Sequence, residues 1–330
     1  MTQQHGFNFA DLNPDLLLDA LDSIGIRAES GLLPLNSYEN RVYQFVAEDG
    51  ARYVTKFYRP QRWTNEQIDE EHQFTLELAE QEIPVAAPIK IDGRTLHPFH
   101  QYHRLALFPS MGGRQFEVDN FDQLEWVGRF LGRIHQVGQR TAFQHRPTIG
   151  LDEYLYLPRQ VLEQSAMIPD HLKHVFFSDL DTLIRELEQQ WHTDWTSIRL
   201  HGDCHPGNIL WRDGPLFVDL DDARNGPAVQ DLWMLLNGDR HDQLAQLDTI
   251  LEAYCEFADF DQKQLQLIEP LRGLRMVHYM AWLARRWEDP AFPHAFPWFA
   301  DAKYWEGQVL AFKEQLAALN EPPLQLMPQW

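Results

Sequence analysis

The stretch His201-Gly202-Asp203-Cys204-His205-Pro206-Gly207-Asn208, followed by the apolar run Pro215-Leu216-Phe217-Val218 and then Asp219-Leu220-Asp221-Asp222, constrains this chain more than any other. It sets a carboxylate and an amide five residues apart, Asp203 and Asn208, and adds a second carboxylate, Asp219, after a short β-like run. Phosphoryl transfer from Mg-ATP needs that combination: an acid to accept the proton of the attacking hydroxyl, and hard oxygen ligands for Mg²⁺. On this reading Asp203 is the candidate base, Asn208 and Asp219 are the candidate metal ligands, and Asp219 is also catalytic through the metal.

Two other readings are open at this point. His201-x-Asp203-x-His205 alternates potential zinc ligands, as a metallohydrolase would require. Hydrogen-bonded residues of a polar turn would look the same. The spacing from Asp203 to Asn208 matches the H-R-D-x-x-x-x-N loop with Gly202 in place of the arginine, so the discriminating observation is whether the rest of an ATP site occurs upstream.

It does. Arg41-Val42-Tyr43-Gln44-Phe45-Val46 alternates, Glu48-Asp49-Gly50 turns, and Tyr53-Val54-Thr55-Lys56-Phe57-Tyr58 alternates again, which predicts a β-hairpin. Period two puts Val54 and Lys56 on one face. A lysine there is usually a snorkelling edge residue, but in a V-A-I-K strand the apolar residue roofs the adenine and the lysine grips phosphates. Val54 and Lys56 fit those roles. On the G-x-G-x-x-G-x-V template Leu35, Ser37 and Asn40 stand where glycines would, so no glycine loop exists in the strict sense. Backbone amides there could still cradle phosphate if the Ser37 and Asn40 side chains hold the turn.

Thr64-Asn65-Glu66-Gln67 has the form of a capping box and predicts a helix running to about Glu82. Its apolar stripe Ile68, Phe74 and Leu78 includes Glu71, which therefore needs a buried partner, and Lys56 is assigned to it. Asp69 and Glu70 read as surface charge. Ile83-Pro84-Val85 and Ile89-Lys90-Ile91 with Asp92-Gly93 predict a second hairpin, and Arg104–Phe108 the last strand of a small sheet. Pro109-Ser110-Met111-Gly112-Gly113 reads as a hinge. The expected organisation is an ATP-binding N-lobe over 1–108, a hinge over 109–113 and a C-lobe over 114–330 that carries the catalytic loop and metal site. That C-lobe reads as mainly helical, with helices from Leu124 to Gly138 and from about His171 to Trp191. His135 reads as a packed core histidine. Asp231, at the start of an apolar helix, is either an N-cap or a support for the catalytic-loop backbone.

Composition limits the partners. With 44% hydrophobic and 23% charged residues, 330 residues make one large or two ordinary globular domains. A formal net charge of -21 argues against a general nucleic-acid or anionic-membrane binder. No apolar stretch reaches the roughly 18 residues of a spanning helix. The start MTQQHGFNFADLNPD lacks a basic segment followed by an apolar run, so the expected location is the cytoplasm. Cys204 and Cys255 are too few for a disulfide framework.

The order of strand Lys56, helix Glu71, hinge, Asp203 with Asn208, and Asp219 resembles the aminoglycoside phosphotransferase/choline kinase branch of the protein-kinase-like fold. Leu35–Phe45, His201–His205 and Phe217–Gly226 are similar to a bacterial stress-response family within that branch. The resemblance implies an α+β, two-lobed protein-kinase-like fold, with a small antiparallel-sheet N-lobe carrying one main helix and a larger, mostly helical C-lobe. It also implies an ATP-dependent, Mg²⁺-requiring serine/threonine protein kinase, monomeric and capable of autophosphorylation, that acts on Ser/Thr-containing proteins in envelope and oxidative stress survival. The alternative on the same fold is a kinase of a small hydroxyl metabolite. Without an obvious D-F-G or A-P-E, no activation-loop switch is expected, and Asp221 or Asp222 is a candidate for a second metal contact. The acidic surplus suggests basic protein acceptors.

Overall fold

The computed structural model describes residue 9, residues 11–100 and residues 102–326. Residues 1–8 and 10, part of the segment read for a leader, lie outside the described residues. The chain begins with α1 (Pro14–Ser23), β1 (Leu33–Pro34), β2 (Arg41–Val46), β3 (Arg52–Phe57), α2 (Asn65–Glu80), β4 (His97–Phe99), β5 (His103–Pro109) and β6 (Arg114–Gln115). It continues through α3 (Phe121–Gly138), α4 (Leu157–Gln164), α5 (Asp170–Gln190), β7 (Ile198–Leu200), β8 (Ile209–Trp211), β9 (Pro215–Phe217) and β10 (Arg224–Gly226). Helices α6 (Gln230–Trp233), α7 (Arg240–Tyr254), α8 (Ile268–Arg286), α9 (Ala291–Ala295) and α10 (Ala302–Leu319) complete it. Among the described residues no helix is long and apolar enough to cross a membrane.

Two compact units form. The first takes the chain up to Phe116 and adds Phe143–Arg146 and Gly207–Ala223; the second is Glu117–Ala142, Pro147–Pro206 and Arg224 onward.

In the first unit a five-stranded antiparallel sheet runs in the order β1-β2-β3-β5-β4. Alternation along β5 feeds two cores. Leu105 and Leu107 pack with Phe45, Phe57 and the α1 residues Leu17 and Leu21, whereas Ala106 and Phe108 pack on the opposite face with Tyr58 and Ile68. Val54 and Lys56 face the second core, because their partners across the ladder are Phe108 and Ala106. Helix α2 begins with the expected capping box at Thr64 and buries Ile68, Glu71, Phe74 and Leu78.

One strand expectation is refined and another changes. β5 is the last strand of the sheet in chain order but lies inside it, since β4 pairs outside it, and the Pro98 of β4 suits an edge. The hairpin expected around Asp92-Gly93 shrinks to one Ile91–Arg94 bridge. Its first arm pairs elsewhere: Phe217 donates to Pro84 at 2.9 Å, Ala86 donates to Phe217 at 3.1 Å, and Ile89 donates to Leu107 at 2.7 Å. The local turn signal was real, but these backbone groups find partners in β9 and β5, distant in sequence.

The second unit is mainly helical. Gly138 closes α3 where a Cβ would stand 2.2 Å from the Arg199 carbonyl oxygen, so only glycine lets α3 approach β7 this closely. β7 pairs antiparallel with β10 and delivers the chain to His201.

Candidate active site

In the first unit the acids after β9 are placed by a hairpin. Ile209 pairs with Phe217, and the ladder continues one step because Val218 donates to the Asn208 carbonyl at 3.0 Å. Asn208 and Asp219 therefore flank the open end of one hairpin. Asp219 sits in the left-handed region, φ 59 and ψ 60, a conformation that costs a non-glycine residue on the order of 1–3 kcal/mol and recurs where a side chain must be aimed.

Lys56 Nζ lies 2.8 Å from Asp219 Oδ1 and 4.0 Å from Asp221 Oδ1. Burial works against the ammonium, but Asp219, Asp221 and Glu71 outweigh it and raise its pKa, so Lys56 stays charged. Asp221 is buried and accepts from Asn40 Nδ2 at 3.0 Å and from Arg62 at 2.7 Å; a second Arg62 nitrogen holds Asp222 at 2.7 Å. Burial alone would push the Asp221 carboxyl up, yet Lys56 and Arg62 hold it below its ordinary value. Both carboxylates considered for a second metal are thus engaged by Arg62.

Glu71 departs from its expected partner. Among the described residues it makes no ion pair with Lys56; its carboxylate lies 3.3 Å from Thr75 Oγ1 and 3.7 Å from His72 Nε2. The ammonium is drawn to the two carboxylates that follow β9. Burial pushes the Glu71 carboxyl up to about 7 against the pull of Lys56 and Arg146. His72 is pushed down to about 3 by burial, with Lys56 and Arg146 adding to it, and its ring bridges Tyr58 Oη at 2.6 Å and Thr95 Oγ1 at 2.8 Å.

The remaining candidates of this unit are placed as follows. Asn40 is buried, its amide oxygen accepting from the Arg59 backbone at 3.0 Å while its nitrogen holds Asp221, so the side chain ties the end of the turn into the fold. Ser37 is half-buried in that turn, its backbone N–H bonded to the Leu35 carbonyl at 2.8 Å. Val54 packs at the margin of the Tyr58–Phe108 core. Glu70, expected as surface charge, instead accepts the backbone N–H groups of Gln144, His145 and Arg146 at 2.6, 2.8 and 2.9 Å. Arg146, which no periodicity flagged, is buried and donates to the Asp221 carbonyl at 2.6 Å.

The second unit holds the loop that carries Asp203. Asp231 is fully buried and accepts the backbone N–H of His201 at 2.7 Å, that of Gly202 at 2.8 Å, and His135 Nε2 at 3.0 Å. This decides between its two expected roles, since α6 is preceded by Val229 with no side-chain cap. Burial opposes the Asp231 charge, but the His135 hydrogen bond and charge, His201 and the Gly202 amide hold its pKa below the ordinary value. The other ring nitrogen of His135 meets Tyr254 Oη at 3.0 Å. Gly202 has φ 86, which explains why glycine replaces the arginine of the loop template: a side chain there would cost about 1–2 kcal/mol. Cys204 is buried, and burial, Asp231 and Asp203 all push its thiol well up, consistent with packing rather than reactivity.

Asp203 is not gathered with His201 and His205 into a metal centre, and among the described residues no group of three or more His, Cys, Asp or Glu side chains is placed to hold a metal ion. Arg275 Nη1 donates to Asp203 Oδ1 at 2.6 Å, and His205 Nε2 is 3.5 Å from Oδ2. Arg275 was missed because it lies on α8, 72 residues away, beside a stretch that reads as core. The metallohydrolase reading is left without a ligand set. Asn208 and Asp219 do fit a magnesium ion chemically: an amide oxygen and a carboxylate on adjoining ladder ends, with the Asp219 side chain 46% exposed.

Residues 31–268 match the model of the phosphotransferase enzyme family. The chain is 60% identical over 324 residues to stress response kinase A of Escherichia coli (strain K12), covering 98% of each chain. It is 59% identical over 326 residues to serine/threonine protein kinase RdoA of Salmonella typhimurium (strain LT2), covering 99% of each. Among solved structures, an amicoumacin kinase in complex with AMP-PNP, Ca²⁺ and its ligand shares the fold with a TM-score of 0.68, at 19% identity and covering 89% of each chain.

Proposed function

Because the chain belongs to the phosphotransferase enzyme family, and within it to the stress response kinase A relatives, we propose that it is an ATP-dependent serine/threonine protein kinase. The observation that carries the reading is the Lys56–Asp219 contact at 2.8 Å beside Asn208, a cation and two oxygen donors of the kind a magnesium nucleotide requires. Asn208 and Asp219 would hold Mg²⁺, which would supply charge neutralisation for the phosphates.

Lys56 takes the phosphate oxygens, Val54 covers the adenine, and the backbone around Ser37, held by the Asn40 amide, lies along the phosphates. Glu71 supports this set through its charge on Lys56. Asp203 accepts the proton of a serine or threonine hydroxyl as its oxygen bonds to the γ-phosphorus, and the bond to the β,γ-bridging oxygen breaks with its electron pair leaving on ADP. In functional terms residues 1–108 bind ATP, 109–113 act as a hinge and 114–330 carry the catalytic loop and the metal site. We place the kinase in the cytoplasm as a monomer that phosphorylates itself and other proteins under envelope and oxidative stress; the relatives' names support a stress-response serine/threonine kinase and no more than that.

Incubation with γ-labelled ATP and Mg²⁺, with Asp203→Ala as control and phosphosite mapping afterwards, tests this. Phosphoserine or phosphothreonine on protein in the wild type alone is expected. A metabolite panel run in parallel tests the second reading, a small-hydroxyl kinase on the same fold. Label only on a small molecule would select it.

A further inference from the structure

Within the second unit, a guanidinium is set directly against Asp203. Arg275 Nη1 lies 2.6 Å from one carboxylate oxygen and His205 Nε2 3.5 Å from the other. Arg275 stands on α8 one turn after Arg272, which is bonded to Glu269 at 3.2 Å and lies over the Trp233 ring. Arg272 is thus tied to an acid on its own helix, whereas the one ion pair of Arg275 among the described residues is with Asp203. The Arg275 side chain is 37% exposed, so its charge is presented to solvent as well as to the carboxylate. A structural tie for the loop is not needed from it, because Asp231 and Gln230 already hold His201 and Gly202 by backbone bonds.

We infer that Arg275 is a specificity-determining residue that selects acceptors by charge. The inference rests on reading Asp203 as the acceptor-side base. A lone carboxylate in a chain of net charge -21 would attract hydroxyl compounds that carry an ammonium group. Arg275 cancels that attraction at the base and repels a second cation brought within a few ångströms of it. It offers a fork of N–H donors to a carboxylate or phosphate next to the acceptor hydroxyl. The favoured class is therefore a hydroxyl with an anionic neighbour, such as a serine or threonine flanked by acidic residues. The basic acceptors suggested by overall charge are disfavoured, because near the reacting atoms a guanidinium at contact distance outweighs distant, screened carboxylates.

Initial rates with MgATP are measured on serine peptides differing only in Asp, Ala or Lys beside the serine, and on the small pair N-acetylserine and serinamide. The wild type is expected to favour the anionic member of each pair by about tenfold in kcat/KM, equivalent to about 1.4 kcal/mol. Arg275→Ala and Arg275→Gln should bring the ratio to within about twofold, mainly through KM, while Arg275→Lys retains most of it and MgATP affinity stays unchanged. An unchanged ratio in both neutral variants, or a wild type preferring the cationic member, overturns the inference. Failure of the protein-kinase reading looks different, with both small alcohols labelled and every peptide unlabelled. Failure of the base assignment looks different again, with Asp203→Ala still active.

Discussion

Lys56 and Asp219 form a direct ion pair at 2.8 Å, and Glu71, on the helix nearest in sequence, is left buried without the lysine as an ion-pair partner. A carboxyl in that position carries a pH signature of its own.

Glu71 is pushed up to about 7 by burial, from 4.5. Between those values the folded chain keeps a proton that the unfolded chain has lost, so this residue lowers stability as pH rises from about 4.5 to about 7. The full effect is on the order of 3 kcal/mol. Glu71→Gln should therefore be more stable than the wild type at pH 7.5 and about equal at pH 4. Urea midpoints at the two pH values check this, and a variant destabilised equally at both rejects it.

Asp231 acts with the opposite sign. Its carboxyl is held below the ordinary value of 3.8, so its contribution is complete above that value and is lost as pH falls through the depressed one. Asp231→Ala orphans two buried backbone N–H groups, each worth about 1–3 kcal/mol. A loss of at least about 3 kcal/mol is expected at pH 7, with faster amide exchange at His201 and Gly202. Wild-type exchange rates at those two amides would remove Asp231 as their anchor.

Asp203→Ala should abolish phosphoryl transfer and leave MgATP affinity within about twofold, because the base meets the acceptor and not the nucleotide. Calorimetric titration with MgATP reads the second quantity. A variant that turns over normally, or one that no longer binds nucleotide, would contradict the assignment.

Asn208→Ala should raise the Mg²⁺ concentration needed for half-maximal activity by about tenfold or more, with partial rescue at high Mg²⁺, since one neutral ligand is lost from an octahedral ion. Asp219→Ala should not be rescued, because it removes the charged ligand and the partner of Lys56 together. An unaltered Mg²⁺ dependence in both variants would remove the metal assignment.

The sequence by itself determined the direction in which the principal side chains point. Period two placed Val54 and Lys56 on one face of β3, helical spacing turned Glu71 inward on α2, and the Thr64 capping box marked where that helix begins. These are local properties, since a side chain's direction follows from backbone geometry over a few residues. Spacing likewise brought out Asn208 and Asp219, because both lie on one short hairpin.

Tertiary structure alone decided which partner each charge meets. Lys56 meets an acid 163 residues away rather than the nearer Glu71, Glu70 gathers backbone amides from residues 144–146, and Arg275 reaches Asp203 across 72 residues. The Ile83–Ile91 segment lost its expected hairpin for the same reason, its backbone groups pairing with β9 and β5. Periodicity cannot report these pairings. An ion pair or a strand pairing is chosen by which groups chain closure brings within a few ångströms, and that depends on how the whole fold buries its apolar faces.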